Sequence, residues 1–328
     1  MNSAANNQNE PEKPADDIVR VRQSTLIKLN REAKNIPLKA GKITARLNGT
    51  YLTIFKGLGM EFDEVRPYQA GDDLYSIDWN VTARTGEAHT KIFREERERA
   101  VLMWVDYRQP MFFGTRGSFK SVLAAKTAAL LAWSAVQHGD RLGGLIYSEK
   151  QHNELRPLRG KSGALRLIHH LSHHSAWDDY TNNQHPGNQY QAKQADLQYA
   201  AAQALHRLHR VTHPGSLIFL ISDFRHFDRL AERYLAAISG QNDVVIIAIH
   251  DPLESRLPAA GHYRFSKGKT IVDVDTHNRK TCQNYQKKFE TRQSQLKKLC
   301  RKLGIFYLSL STEDALLSRL QSGLGLKP

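Results

Sequence analysis

Carboxylates that close apolar runs are the residues of this chain best placed to do chemistry. Asp106 follows Val101 to Val105, Asp223 follows Ser216 to Ile221 by one residue, and Asp251 follows Val244 to Ile249 and His250. A carboxylate at such a position can hold a cation or receive a partner's donor, provided the runs are strands of one sheet. A second group lies between Gly57 and Arg97, where Asp72, Asp73, Asp78, Glu95 and Glu96 alternate with Arg66, Arg84 and aromatic residues including Tyr68 and Trp79. That texture has two physical meanings. Paired charges can lock an irregular segment in place, or an acidic cluster can bind metal and serve a metal-dependent hydrolase or nuclease. No nucleophile stands beside a base, and no His and Asp fall in a metal-ligand register. The structural reading is therefore favoured, as a network of Arg66, Asp72, Asp73, Asp78, Trp79 and Arg84, and no catalytic residue is assigned.

Three other patterns imitate sites. Gly160-Lys161-Ser162 matches the end of a phosphate-binding loop, but Leu155 occupies the place of its first glycine and no strong strand precedes it. His169, His170, His173 and His174 make two i, i+4 pairs with only Asp178, Asp179 or His185 near enough to complete a metal site, so a polar helix end is expected. Trp79, Trp104, Trp133 and Trp177 are scattered, two of them inside apolar patterns, and are expected in the core rather than as a base-stacking platform.

The elements that must position the aspartates are legible from Val101 onward. Strands are expected at 101–105, 141–147, 154–158, 216–221, 244–249 and 306–310. Helices are expected at 121–138, 164–174, 197–211, 230–238 and 282–303. A terminal helix should follow, capped by Ser311 or Thr312, with Glu313 and Asp314 in its first turn. Alternation of this kind, with unbroken apolar strands, specifies an α/β fold with a mostly parallel sheet covered on both faces. Residues 252–280 read as an excursion containing a hairpin from Tyr263 to Asp273. Upstream, 18–98 reads as a helix at 24–34 and then an extended, turn-rich segment, preceded by a disordered tail at 1–17; the α/β domain is expected over 99–328.

The chain has 328 residues, 40% hydrophobic, with a formal net charge of +14. Its basic residues fall in loose groups, the largest on the polar side of the 282–303 helix, so a solvated face is expected rather than nucleic-acid binding. No run reaches the roughly 18 to 20 apolar residues of a membrane span, and the first residues lack a signal-peptide layout. Cys282 and Cys300 would lie roughly 27 Å apart on one helix, too far to bridge. A cytoplasmic protein is expected.

The order of Gly57, Gly59, Glu61, Phe62, then Arg66-Pro67-Tyr68, Gly71-Asp72-Asp73, Ile77-Asp78-Trp79 and Thr82-Ala83-Arg84 resembles the hallmark of a bacterial family, the domain of unknown function numbered fifty-eight. The resemblance runs from Leu52 to about Ser311 and continues through Asp106, Lys120 and Gly139-Asp140-Arg141. The family usually has Arg between Asp72 and Ile77, where this chain has Tyr75 and Ser76, a departure that touches one ion pair of its network. Members are often encoded beside MoxR-type AAA+ ATPases and are similar to von Willebrand factor A domains. The resemblance thus implies a von Willebrand factor A-like, Rossmann-like sheet in a non-enzymatic protein-binding adaptor, with a MoxR-type AAA+ ATPase as partner. Von Willebrand A domains hold Mg²⁺ through Asp-x-Ser-x-Ser after the first strand, a Thr from another loop and a later Asp. Here Asp106 and Asp223 match the two aspartates, while Arg108 and Pro110 replace the hydroxyl ligands. A guanidinium only donates, so the motif is read as degenerate: a binding site of Asp106, Arg108 and Asp223 with no metal or other cofactor. Two placements of Arg108 follow: its guanidinium takes the place of the ion, or it points to solvent or to a partner protein while the aspartates cap nearby backbone.

Overall fold

The computed structural model describes residues 17–34, 36, 38, 60–69, 72, 77–95, 99–183, 194–267 and 270–325. Two compact units emerge, Thr50–Arg99 and the remainder of the chain. The division differs from the sequence boundaries, because the segment around 23–38 belongs with the α/β unit. The expected tail lies almost wholly outside the described residues.

In the larger unit, α1 (Gln23–Lys28) and α2 (Asn30–Ala33) come first. Their Leu26 and Ala33, with Ile36 and Leu38, are buried in the same apolar cluster as Trp133. Two polar groups of the adjoining helix explain the docking: Trp133 Nε1 donates to Leu26 O at 3.0 Å and Ser134 Oγ to Ile36 O at 2.6 Å. Buried donors need such acceptors, so both residues bind this segment as well as fill space.

The smaller unit pairs β1 (Met60–Pro67) antiparallel with β2 (His89–Glu95), with α3 (Trp79–Thr85) between them in sequence. The central sheet of the larger unit is built from β3 (Ala100–Asp106), β4 (Arg141–Tyr147), β5 (His152–Arg159), β6 (Leu217–Ser222), β7 (Asp243–His250) and β10 (Phe306–Ser311). Its order is β10-β7-β6-β3-β4-β5, parallel throughout except for β5. Side chains alternate between two cores: Val101, Met103 and Val105 face one, Leu102 and Trp104 the other. Both faces are thus apolar, and neither strand of the centre could lie open to water.

Around this sheet run α4 (Lys120–Gln137), α5 (Lys161–Ser172), α6 (Ala176–Asn183), α7 (Gln194–Val211), α8 (Arg229–Ser239), the short α9 (Pro252–Ser255), α10 (Arg279–Lys302) and α11 (Leu316–Leu324). The excursion carries the hairpin β8 (His262–Lys267) and β9 (Thr270–Asp275), as expected; its turn lies outside the described residues. Among the described residues, no helix is long and apolar enough to cross a membrane.

Two expectations need correction. The last helix starts at Leu316, after Ala315, because the expected cap residues have other partners. Thr312 Oγ1 donates to Asp251 at 2.8 Å, and Asp314 accepts from Ser311 N at 2.7 Å. Trp104, Trp133 and Trp177 are core residues, but Trp79 opens α3 and is 70% exposed.

His174 also departs from the polar helix end expected of the histidine ladder. It is buried against Tyr107, with ring centroids 5.4 Å apart at 82°. Its Nδ1 accepts from Ala176 N at 3.2 Å, and Nε2 has no partner among the described residues. That bond fixes the neutral tautomer. Burial pushes the imidazole down to about 4. A histidine whose folded pKa lies below its unfolded value of about 6.5 contributes nothing above that pH. As the pH falls from about 6.5 to 4, the unfolded chain takes up the proton first and stability drops, by about 2 to 3 kcal/mol. Denaturant unfolding across this range should show the loss, and His174→Asn, which keeps an acceptor for Ala176 without titrating, should flatten it. An unchanged slope in that variant would assign the loss to other groups.

Candidate functional site at the strand ends

The carboxyl ends of β3, β6 and β7 bring the sequence-identified aspartates to one edge of the sheet. β3 pairs directly with β6, Val105 beside Ile221, so Asp106 and the Ser222-Asp223 step emerge together. Asp106 is fully buried and its two oxygens are crowded. Arg108 N donates to Oδ1 at 2.9 Å and Arg108 Nε lies 3.0 and 3.1 Å from the two oxygens. Arg108 Nη2 reaches Oδ2 at 2.6 Å, and Ser222 Oγ donates to the same oxygen at 2.5 Å. The guanidinium, itself 1% exposed, spends its other face on Leu197 O at 2.7 Å and stands 5.6 Å from the centre of the Tyr147 ring. Burial opposes its charge most strongly, but Asp106, Tyr147 and Asp223 together outweigh burial, so its pKa rises above the ordinary range.

Asp223 meets a second cation. Lys120, the first residue of α4, is fully buried, and its Nζ lies 2.8 Å from Asp223 Oδ2 and 2.7 Å from Glu254 Oε1. Arg225 closes the group from the loop, Nη2 at 2.9 Å from Glu254 and Nε at 3.8 Å from Asp223. Burial would raise the Asp223 carboxyl; Lys120, then Arg108 and Arg225, overcome it and hold it well below the usual carboxylate range. Each of Asp106, Asp223 and Glu254 therefore has a cation within 2.6–2.8 Å.

Asp251 has a different task. Its carboxylate accepts from Thr115 N and Oγ1 at 2.7 and 2.5 Å, from Leu253 N at 2.9 Å and from Thr312 Oγ1 at 2.8 Å. It also forms a capping box with Glu254 on α9. Burial opposes its ionisation, but these donors lower its pKa. The loop after β6 holds two non-glycine residues in the left-handed region, Phe224 at φ 51° and His226 at φ 58°. Such positions are uncommon and persist where neighbours over-determine them. Here Ser222 Oγ accepts from Phe224 N at 3.0 Å, Asp223 from Arg225 N at 2.9 Å, and Arg108 Nη2 donates to Arg225 O at 3.3 Å.

Mg²⁺ takes about six oxygen ligands in near-octahedral geometry. The donor set here does not fit it: ammonium and guanidinium groups fill the carboxylate faces an ion would use. Lys120, Glu254, Arg225 and Ser222 were not singled out from sequence as site residues. Lys120 carried one signal, a charge opening a helix that is otherwise apolar apart from Lys126. Glu254 carried another, the Asp-Pro-x-Glu spacing of a capping box.

In the smaller unit, Arg66 Nη2 lies 2.7 Å from Asp72, a half-buried pair in which the guanidinium lowers the carboxyl pKa. Asp78 is buried and accepts from Asn80 N and Val81 N at 3.0 and 3.3 Å as the cap of α3. Arg84 sits in the last turn of α3 and is exposed. Asp73, Glu96 and the side chain of Glu95 lie outside the described residues.

Rv1480 of Mycobacterium tuberculosis and Mb1516 of Mycobacterium bovis, both uncharacterised, are each 29% identical over 220 residues, 67% of this chain. The match spans 64% of the length of each of those relatives. Among solved structures, BatB of Bacteroides thetaiotaomicron aligns with a TM-score of 0.44 at 14% identity, over 69% of this chain and 97% of that one. A von Willebrand factor type A protein of Catenulispora acidiphila aligns at 0.36 and 11%, over 72% and 43%. The family model described as protein of unknown function DUF58 matches residues 64–295, and the chain belongs to that family.

Proposed function

We propose that this protein is a non-catalytic adaptor that presents the strand-end face of its α/β unit to a protein partner, a MoxR-type AAA+ ATPase, without a metal ion. The observation that carries this reading is the buried Lys120 ammonium shared by Asp223 and Glu254, alongside the Arg108 fork on Asp106. In a metal-dependent adhesion site an ion joins these carboxylates and leaves a position for the partner. Here the chain's own cations join them, and recognition passes to the rim. Beside the cluster, a groove is lined by Phe224, Arg225, His250, Phe289 and Arg292, together with Asp223 and Glu254, which Lys120 and Arg225 already pair. Two guanidiniums and two aromatic rings on one groove suit an acidic, partly apolar segment of a partner. Burial, and then the like charge of Arg225, lower the pKa of Arg292, against the opposing pull of Glu254 and Asp223.

A cytoplasmic setting belongs to the same proposal. Cys282 and Cys300 are free thiols, and burial pushes Cys300 up to about 12. The acidic group around Asp72 gives the hydrolase reading no comparable support: Asp72 faces Arg66, and Asp78 caps a helix.

Two outcomes are expected. The full chain should co-purify with its MoxR-type ATPase, and the complex should survive EDTA; a complex that falls apart in EDTA, or none at all, defeats the corresponding half of the proposal. In the isolated protein, calorimetric titration with Mg²⁺ and Mn²⁺ should show no site-specific binding. Micromolar binding that raises the melting temperature and vanishes in Asp106→Ala would falsify metal independence. Lys120→Met removes the nearest cation of Asp223 and leaves Glu254 only Arg225, and should cost about 3 to 5 kcal/mol. Adding Asp223→Asn and Glu254→Gln should restore much of that loss. The same charge pairing fixes the sign of the acid response. Asp223 has a folded pKa below its unfolded value of about 3.9, so its stabilisation is complete above that pH and is lost as the pH falls below it.

A further inference from the structure

The excursion between β7 and α10 gathers three metal-ligating side chains that the strand-end site does not use. β8 and β9 pair antiparallel, with His262 directly opposite Asp275. Two residues past Asp275, His277 folds back: its N–H donates to Asp275 Oδ1 at 2.9 Å, and its Nδ1 lies 2.9 Å from the same oxygen. His262 Nδ1 lies 3.9 Å from that oxygen, and the two imidazole centroids are 5.3 Å apart. One ligand atom from each of the three residues falls within 4.8 Å of the others. Zinc-ligand distances near 2.0–2.1 Å span such a triangle with only small rotations of the side chains.

The backbone beneath the triad is fixed by a buried residue. Thr276 is 6% exposed, and its hydroxyl donates to Ala259 O at 2.8 Å or Gly261 O at 3.0 Å while accepting from Gly261 N at 2.9 Å. Thr276 N also donates to Gly261 O at 2.9 Å. These bonds tie the residue before His262 to the residue between Asp275 and His277, so the three ligands hold their spacing without an ion. Asn278 then caps α10, accepting from Lys280 N and Thr281 N at 3.0 and 3.3 Å.

We infer that His262, Asp275 and His277 form a surface site for a divalent transition-metal ion, with zinc, nickel or cobalt as its chemical class. Two imidazoles and one carboxylate select such ions over Mg²⁺ or Ca²⁺, which take oxygen sets. Three protein ligands leave a coordination position open to water or to a carboxylate or imidazole of another molecule. All three side chains are exposed, so ion and water reach them freely. The rival arrangement is an ion-pair ladder: on the same face, Arg264 and Asp273 are opposite each other and paired at 2.9 Å.

The test is calorimetric titration of the full chain, stripped with chelator, with Zn²⁺ and Ni²⁺ at pH 7.5, with visible absorption of the Co²⁺ form alongside. One site of micromolar affinity is expected, weakened about tenfold or more by each of His262→Ala, Asp275→Asn and His277→Ala. The cobalt absorption should change with each ligand removed. His169→Ala and His173→Ala, which dismantle the stacked pair on α5 and at its end, should leave that site intact. Far-UV circular dichroism of the exposed-site variants should match the parent, which separates ligand loss from misfolding. Absence of binding at millimolar metal reduces the triad to the ladder and overturns the inference. Binding that survives both His262→Ala and His277→Ala overturns it equally.

Discussion

Three carboxylates buried at the carboxyl ends of parallel strands cannot stay ionised without cations, and this requirement organises the larger unit. Taking a carboxylate out of water costs several kcal/mol, and two or three neighbours add their repulsion. Asp106 and Asp223 meet the requirement through Arg108 and Lys120, while Glu254 shares Lys120 with Asp223. Each cation comes from a different place in the fold. Arg108 follows β3, and Lys120 opens the helix that forms much of one core. Arg225 lies in the loop after β6, and Glu254 sits on the turn after β7. The cluster therefore ties strand, helix and two loops at one point.

The same network sets the shape of the rim. Left-handed backbone at Phe224 and His226 costs of order 1–3 kcal/mol at each residue. Hydrogen bonds from the cluster to Phe224 N, Arg225 N and Arg225 O hold the loop in that conformation. A loop fixed in this way offers a partner a preformed surface, and ordering costs on binding are correspondingly small.

Much of the α/β unit was legible because its strands are apolar without alternation and its helices are periodic. The apolar run 101–105 followed by Asp106 announces a central strand and the position of its terminal carboxylate together. Asp106, Arg108 and Asp223 were legible as a group because strand ends in parallel sheets converge. Lys120 and Glu254 were harder, since their partners are 103 and 134 positions from Lys120 and no local pattern encodes that meeting. The docking of 23–38 onto α4 was likewise invisible, because it depends on the Trp133 and Ser134 donors finding carbonyls about a hundred residues upstream. Trp79 misled for the opposite reason: a large aromatic residue suggests a core, but the first position of α3 faces solvent.

Two polar clusters in one unit show how burial decides what a carboxylate needs. Asp223 lies behind protein, where water cannot screen it, so the chain must supply the counter-charge itself, and Lys120 does so at 2.8 Å. Asp275 is in water, and there the strongest influences on its ionisation are hydrogen bonds from His277, backbone first and then side chain, which lower its pKa. No ammonium needs to be built in beside it, and its ligand atoms stay open to outside ions. The buried cluster carries its counter-charges within the fold, while the exposed triad is screened by solvent.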